Sequence, residues 1–430
     1  MIKFKKILLI SALIFLLPFS SYSGEVTIFD MYKAAIENRE IVKSYQLAVE
    51  QAKLEQKIQK GDYLPSLDAG YTANKLDESS RFGNMKLENI KNSEFAVFLT
   101  QNLFHGFKDK LEIAIADLDL KTSDYELLDI KHDIGLEVAL RVLQVYQAEA
   151  RRLVAMDAFK AYSERYENVL LKYDVGVAKK RDVLTVKVEK DDAEQNLAMA
   201  ENEVEKALNM LNRVTKLSLE FSDIDFSLFE SLPVFSPFEE YKTTMLSNRT
   251  DFKILKAGIE KAEKTRKLAQ ASFYPKIDLV LMQRYYSDEY YAFDSSTRED
   301  ETRLQLNLGI NLFDGMKKYK KIDKAGLETE RVRYSLAELE NELTTQLGNF
   351  LIDAQTAEKN HFVAREGITE AEENLRITEL SFEKGVATAT DVLDSIYYLS
   401  RARNNEITAK ATIFMTLFYI KRMVVDYPEI

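Results

Sequence analysis

The chain switches between two hydrophobic periods, and it does so twice. In "SLDAGYTAN", Leu67, Ala69, Tyr71 and Ala73 fall on one face, with Ser66, Asp68, Thr72 and Asn74 on the other. In "EFAVFLTQNL", Phe95, Val97, Leu99 and Leu103 share a face. The pattern returns with Ile277, Leu279, Leu281 and Tyr285. It returns again with Leu304, Leu306, Leu308, Ile310 and Leu312 against Gln305, Asn307, Gly309 and Asn311. Period two predicts four strands, in hairpins at about 66–103 and 276–312. Each has about the 9–11 residues that a tilted strand needs to cross a bilayer. A soluble sheet with one wet face would alternate in the same way. Polar loops at 77–91 and 287–300 join the paired strands, the second rich in tyrosine.

Elsewhere the period is helical. The six prolines are Pro18, Pro65, Pro233, Pro237, Pro275 and Pro428, so none interrupts 66–232 or 276–427. Glycine is scarce there too, which suits very long helices. Residues 108–172 and 317–383 each predict one helix of roughly 100 Å, returning as second helices over 182–211 and 391–425. Spaced apolar residues such as Ile134, Val138, Val142 and Val145 require coiled-coil neighbours. Shorter helices open each half and run to about Gly61 and Ser272. Thr27 with Asp30 resembles a capping box, and Ser236-Pro237-Phe238-Glu239 reads as a better one, with serine as the cap.

The halves are copies. Asn38-Arg39 recurs as Asn248-Arg249 and Pro65 as Pro275, both at an offset of 210. Leu103-Phe104-His105-Gly106 recurs as Leu312-Phe313-Asp314-Gly315, and Gly176 as Gly385, at an offset of 209. This is an internal duplication, with structural repeats at 24–232 and 233–430. Each repeat holds a helix, a β-hairpin and a pair of long helices joined by a tip, "YDVGVAKKRDVLTV" and "FEKGVATATDVLDS".

Lys3, Lys5 and Lys6 precede an apolar run to Phe19, and Ser21-Tyr22-Ser23 follows. Residues 1–23 are therefore expected to be a secretory signal peptide. With no cysteine in the chain, disulfides and thiolate chemistry are excluded, and no N-terminal lipid anchor of the bacterial lipoprotein kind is expected. Net charge is −11, and −14 once the three leader lysines are removed, which argues against nucleic acid as a partner. No run of about 18 apolar residues follows the leader, so no transmembrane helix is expected. Four membrane strands cannot close a barrel, since bacterial barrels need at least eight and an open edge in lipid leaves backbone groups unpaired. Several chains must combine.

The duplication, the "VTIFDMYKAAIEN" start, the "LFHG" and "LFDG" strand ends and above all the tip "GVATATDVLD" resemble the outer-membrane efflux protein family, the TolC-like channels. The resemblance covers nearly the whole mature chain. It implies a mostly α fold of long helical hairpins with four transmembrane β-strands per chain, contributing to a homotrimeric twelve-stranded barrel in outer-membrane lipid. It further implies a helical tunnel across the periplasm, a periplasmic adaptor protein and an inner-membrane pump as partners, and service in tripartite efflux or type I secretion. By the same resemblance Asp391 and Asp394 line the tunnel entrance as an acidic ring, which would favour cations. The repeat partner of Asp391 is Asp182, and both also read simply as first-turn carboxylates that stabilise a helix N-terminus. The partner of Asp394 is Thr185, which cannot ionise, and the plain alternative for Asp394 is a solvated surface acid.

The chain departs from the family pattern in two places. Ala387 or Thr388 stands where some members carry an arginine, and Phe382 stands where a hydrogen-bonding tyrosine can occur. A closed entrance here is expected to rest on fewer polar links. Gly176, Val177, Asp182, Gly385 and Val386 are the expected helical-tip turns and adaptor contact. Gly106 and Gly315 mark the strand-to-helix turns.

Catalysis is not expected, and neither is a cofactor or a firm metal site. His105, His132 and His361 lie far apart, and there is no H-E-x-x-H, phosphate loop or nucleophile elbow. The competing reading is a secreted coiled-coil structural or adhesive protein without a channel. That reading leaves the offset-matched hairpins of membrane length unexplained.

Overall fold

The computed structural model describes residues 25–75, 81–82, 85–86, 91–293 and 298–425. The expected leader and much of the 77–91 loop lie outside the described residues. The first repeat comprises α1 (Ile28–Asn38), α2 (Glu40–Gly61), β1 (Ser66–Lys75), a two-rung ribbon of β2 (Arg81–Phe82) and β3 (Met85–Lys86), β4 (Lys91–His105), α3 (Lys108–Asp174) and α4 (Lys180–Thr215). The second comprises α5 (Phe238–Asn248), α6 (Thr250–Ala271), β5 (Lys276–Ser287), β6 (Arg298–Gly309), α7 (Lys317–Glu383) and α8 (Ala389–Val424). The duplication is metrically close: α3 and α7 have 67 residues each, and α4 and α8 have 36 each.

Three expectations need correction. The opening helix of each half is two helices, broken at Arg39 (ψ 135°) and Arg249 (ψ 131°). An extended residue there stops the hydrogen-bond ladder without proline or glycine. Each arginine holds the corner through a carboxylate at 2.6 Å, Arg39 with Glu137 and Arg249 with Asp251. Ser236 is not the cap of α5: Pro237 occupies that position without a side-chain bond, and the Ser236 N–H donates to the Tyr241 hydroxyl at 3.1 Å. The Thr27–Asp30 capping box is present. Finally, β6 ends at Gly309, so Ile310 and Leu312 lie beyond the ladder.

The main sheet is antiparallel in the order β1-β4-β5-β6. One row carries Leu67, Leu99, Leu281 and Leu304 in register, and another Tyr71, Phe95 and Tyr285. The opposite face carries Asp68, Glu94, Arg284, Glu301 and Arg303. There Arg284 reaches Glu94 at 3.8 Å and Glu301 at 3.4 Å. A bulge between Asn102 and Phe104 takes Leu103 out of the ladder, so Phe104, not Leu103, pairs with Ile277 and continues the row. One face is thus mainly apolar and the other mainly polar and charged, with β1 and β6 as unpaired edges.

The helices form a layer. Near the sheet the order is α2, α3, α6, α7; towards the tips it is α4, α3, α8, α7. Between these levels the apolar residues concentrate. Met31, Val138, Val142, Leu211, Phe229, Phe414 and Phe418 form one cluster, and Met245, Phe252, Leu347 and Met423 its counterpart in the second repeat. The repeats are tied there by Arg422, which pairs with Asp129 and Asp133, both at 2.7 Å. Burial and this guanidinium push the neighbouring His132 down to about 4. Among the described residues no helix is long and apolar enough to cross a membrane.

Candidate functional site

The two tips begin with the same turn. Gly176 (φ 79°) and Gly385 (φ 74°) each follow the last turn of a 67-residue helix in left-handed conformation. Val177 N–H donates to Lys172 O at 2.8 Å and Gly176 N–H to Tyr173 O at 2.9 Å. In the second repeat Val386 N–H donates to Ser381 O at 2.8 Å and Gly385 N–H to Phe382 O at 3.1 Å. These paired bonds close both helices in a Schellman motif. Both valines are left projecting, Val177 at 76% and Val386 at 82% exposure.

The return helices differ. Asp391 accepts from the Thr388 N–H and hydroxyl, both at 2.7 Å, while its own N–H donates back to the hydroxyl at 3.2 Å. These bonds hold its carboxyl below the usual carboxylate range. Asp182 accepts from the Lys179 N–H at the longer distance of 3.4 Å, with Arg181 at 3.7 Å. Asp391 and Asp394 are both exposed one turn apart, on the face of α8 opposite the buried Val392, Leu393 and Ile396.

Phe382 is placed inside the tip rather than on its surface. It is 9% exposed and packs with Tyr162, Val169, Val186, Val392, Leu393 and Ile396. Two cations of α3 cover its ring, Lys172 at 3.8 Å and Arg165 at 4.8 Å. Arg165 is buried, reaches Glu379 at 3.2 Å, and has its pKa lowered by that burial. Burial also pushes the Tyr162 hydroxyl up to about 12, while it donates to Leu393 O at 3.4 Å. Sequence reasoning missed Arg165 and Lys172. Their partners lie more than 200 positions away, and nothing local marks them.

At the other end of the long helices, Gly106 and Phe107 share φ 66°, and Gly315 (φ 71°) and Met316 (φ 66°) repeat the pair. Only Gly106 is also sterically confined: a Cβ there would lie 2.6 Å from Ala271 O. Beside this turn, carboxylate oxygens of Asp62, Asp109 and Glu112 lie within 4.8 Å of one another. Asp109 is already bonded by Asn102 at 2.6 Å, and Lys108 stands 3.5 Å from Glu112.

Residues 31–215 and 243–414, most of both repeats, match the family described as outer membrane efflux protein. The chain belongs to that family. It is a family of conduits, and the role it carries is that of an efflux exit duct. Among solved structures, the fold is similar to the outer membrane protein VceC of Vibrio cholerae, at 15% identity and TM-score 0.77, over 92% of this chain and 95% of that one. It is similar to the CmeC outer membrane channel of Campylobacter jejuni, at 15% identity and TM-score 0.75, over 92% and 85%. It also resembles the open state of the MtrE outer membrane channel of Neisseria gonorrhoeae, at 18% identity and TM-score 0.72, over 93% and 89%. No curated protein matches the chain by sequence.

Proposed function

We propose that three copies of this efflux-family chain close one twelve-stranded barrel in the outer membrane, continued by a twelve-helix tunnel across the periplasm. The observation that carries this reading is the four-stranded sheet, with an apolar face, a charged face and two unpaired edges. In lipid each unpaired backbone group costs several kcal/mol. A closed barrel removes both edges, turning the apolar face to lipid and the Arg284–Glu301 face to the lumen. The duct is a passive conduit without catalysis, its energy supplied by an inner-membrane pump. The exposed turns at Gly176–Val177 and Gly385–Val386 meet a periplasmic adaptor, for which the projecting valines offer apolar surface. Asp391 and Asp394, exposed on one face of α8, form the acidic ring at the entrance. Phe382 acts behind that ring, fixing α7 against α3, and Asp182 serves its own helix start.

Native mass spectrometry of the detergent-solubilised protein tests the assembly: three copies from the outer-membrane fraction are expected, and a water-soluble monomer or dimer would end the proposal. Single-channel conductance then tests the ring. Asp394→Asn is expected to reduce cation selectivity, and unchanged selectivity would remove Asp394 from the entrance.

A further inference from the structure

In the helical layer α3 and α8 have neighbours on both sides, whereas α4 and α7 are each open on one flank. The buried residues Val186, Ala193 and Leu211 mark the side of α4 that faces its hairpin partner. At about 100° per residue, Val188, Met199 and Met210 lie about 150°, 130° and 105° around the helix from that side, and all three are exposed. On α7 the buried Leu343, Leu347, Ala354 and His361 mark the inner side. Ile352, Val363 and Ile377 point roughly opposite and are exposed as well.

The two stripes also match in spacing. Measured from the tip end of each helix at 1.5 Å per residue, Val188, Met199 and Met210 stand at about 12, 28 and 45 Å. Ile377, Val363 and Ile352 stand at about 9, 30 and 46 Å. Bringing the tip ends level aligns all three pairs, and sliding one helix by a single step of about 16 Å leaves at least one apolar residue of each stripe unmatched. The same edges continue towards the membrane. Leu47 and Leu54 on α2, and Leu327 and Tyr334 on α7, are exposed at the same heptad spacing, and above them lie the open strands β1 and β6.

We infer that α4 of one copy zips onto α7 of the next in one register, Met210 against Ile352, Met199 against Val363, and Val188 against Ile377. The contact is head-to-tail, the kind of interface that generates a ring. This inference rests on the shared-duct reading and assigns the residues that build its helical seam.

Because the chain has no cysteine, it accepts a clean cross-linking test. Met199→Cys with Val363→Cys, oxidised in membranes, is expected to give covalent dimers and trimers on denaturing gels, and neither single variant should do so. Met199→Cys with Ile377→Cys, about 20 Å out of register, is the mismatched control and should stay monomeric on the same gels. Trimers by native mass spectrometry that cross-link equally in the mismatched pair, or not at all in the matched pair, would overturn the register while sparing the duct. A monomer by native mass spectrometry would overturn both.

Discussion

The two helical tips start from nearly the same sequence and end in different surroundings. Both close with a left-handed glycine and the same pair of backbone bonds. Yet Phe382 is 9% exposed, while its repeat partner Tyr173 is 39% exposed. Leu393 is buried at 4%, and its partner Leu184 is 53% exposed. The turn is a local matter, decided by glycine and chain geometry. Leu393 and Leu184 differ by position in the layer, because α8 lies between α3 and α7 whereas α4 lies at an edge. Phe382, on the flank helix α7, is buried because its ring turns under Lys172 and Arg165 of α3. Duplication delivered two equal hairpins, and the layer gave each one inner helix and one flank, α3 and α8 inside and α4 and α7 outside.

The sharpest test of that contrast is a pair of truncations read by local hydrogen exchange. Phe382→Ala is expected to destabilise its tip by about 3–5 kcal/mol, as for a buried aromatic, and Tyr173→Ala by less than about 1 kcal/mol. Similar losses at both tips would contradict the asymmetry. Next in size, Gly176→Ala and Gly385→Ala should each cost about 1–2 kcal/mol. Neither glycine has an atom near its Cβ position, so equal effects are expected, and unequal ones would mean that the turns are not equivalent. Thr388→Ala removes the hydroxyl cap of α8 and should cost about 1 kcal/mol. Lys179→Ala, at the matching place on α4, removes no such cap and should leave exchange unchanged.

The smallest effect is one of pH. The folded pKa of Asp391 is depressed by the Thr388 bonds. Its contribution is therefore complete above the ordinary aspartate pKa of about 4 and is lost as pH falls through the depressed folded value. The exchange rate of the first turn of α8, taken relative to that of α4, should rise only below about pH 4. A ratio that changes between pH 5 and 7 would point to a different group.

Much of this architecture was legible in the sequence because it is written in periods. Strand alternation and proline-free stretches placed β1, β4, β5 and all four long helices, and α7 begins and ends at Lys317 and Glu383, the limits read from the pattern. The break in each opening helix was not seen, because Arg39 and Arg249 interrupt by backbone angle alone. The repeated Asn-Arg pair was its one visible trace. Ser236 misled because a serine before proline has the composition of a cap even where the helix starts one residue later. At the tips, the glycines and Asp391 carried local signals. The burial of Phe382 beneath Lys172 and Arg165 depends on the repeats meeting side by side, and no window of sequence contains both partners.

If three copies share one barrel as proposed, the unpaired edges of β1 and β6 also govern the order of events during biogenesis. A lone chain entering lipid would expose two rows of backbone donors and acceptors to hydrocarbon, whereas in water the same rows are templates for misassembly. In the proposed shared barrel, insertion is therefore coupled to meeting other copies. Its rate should fall more steeply than in proportion as the chain is diluted, and the time spent as single subunits, not the finished duct, is when this protein is most exposed to loss.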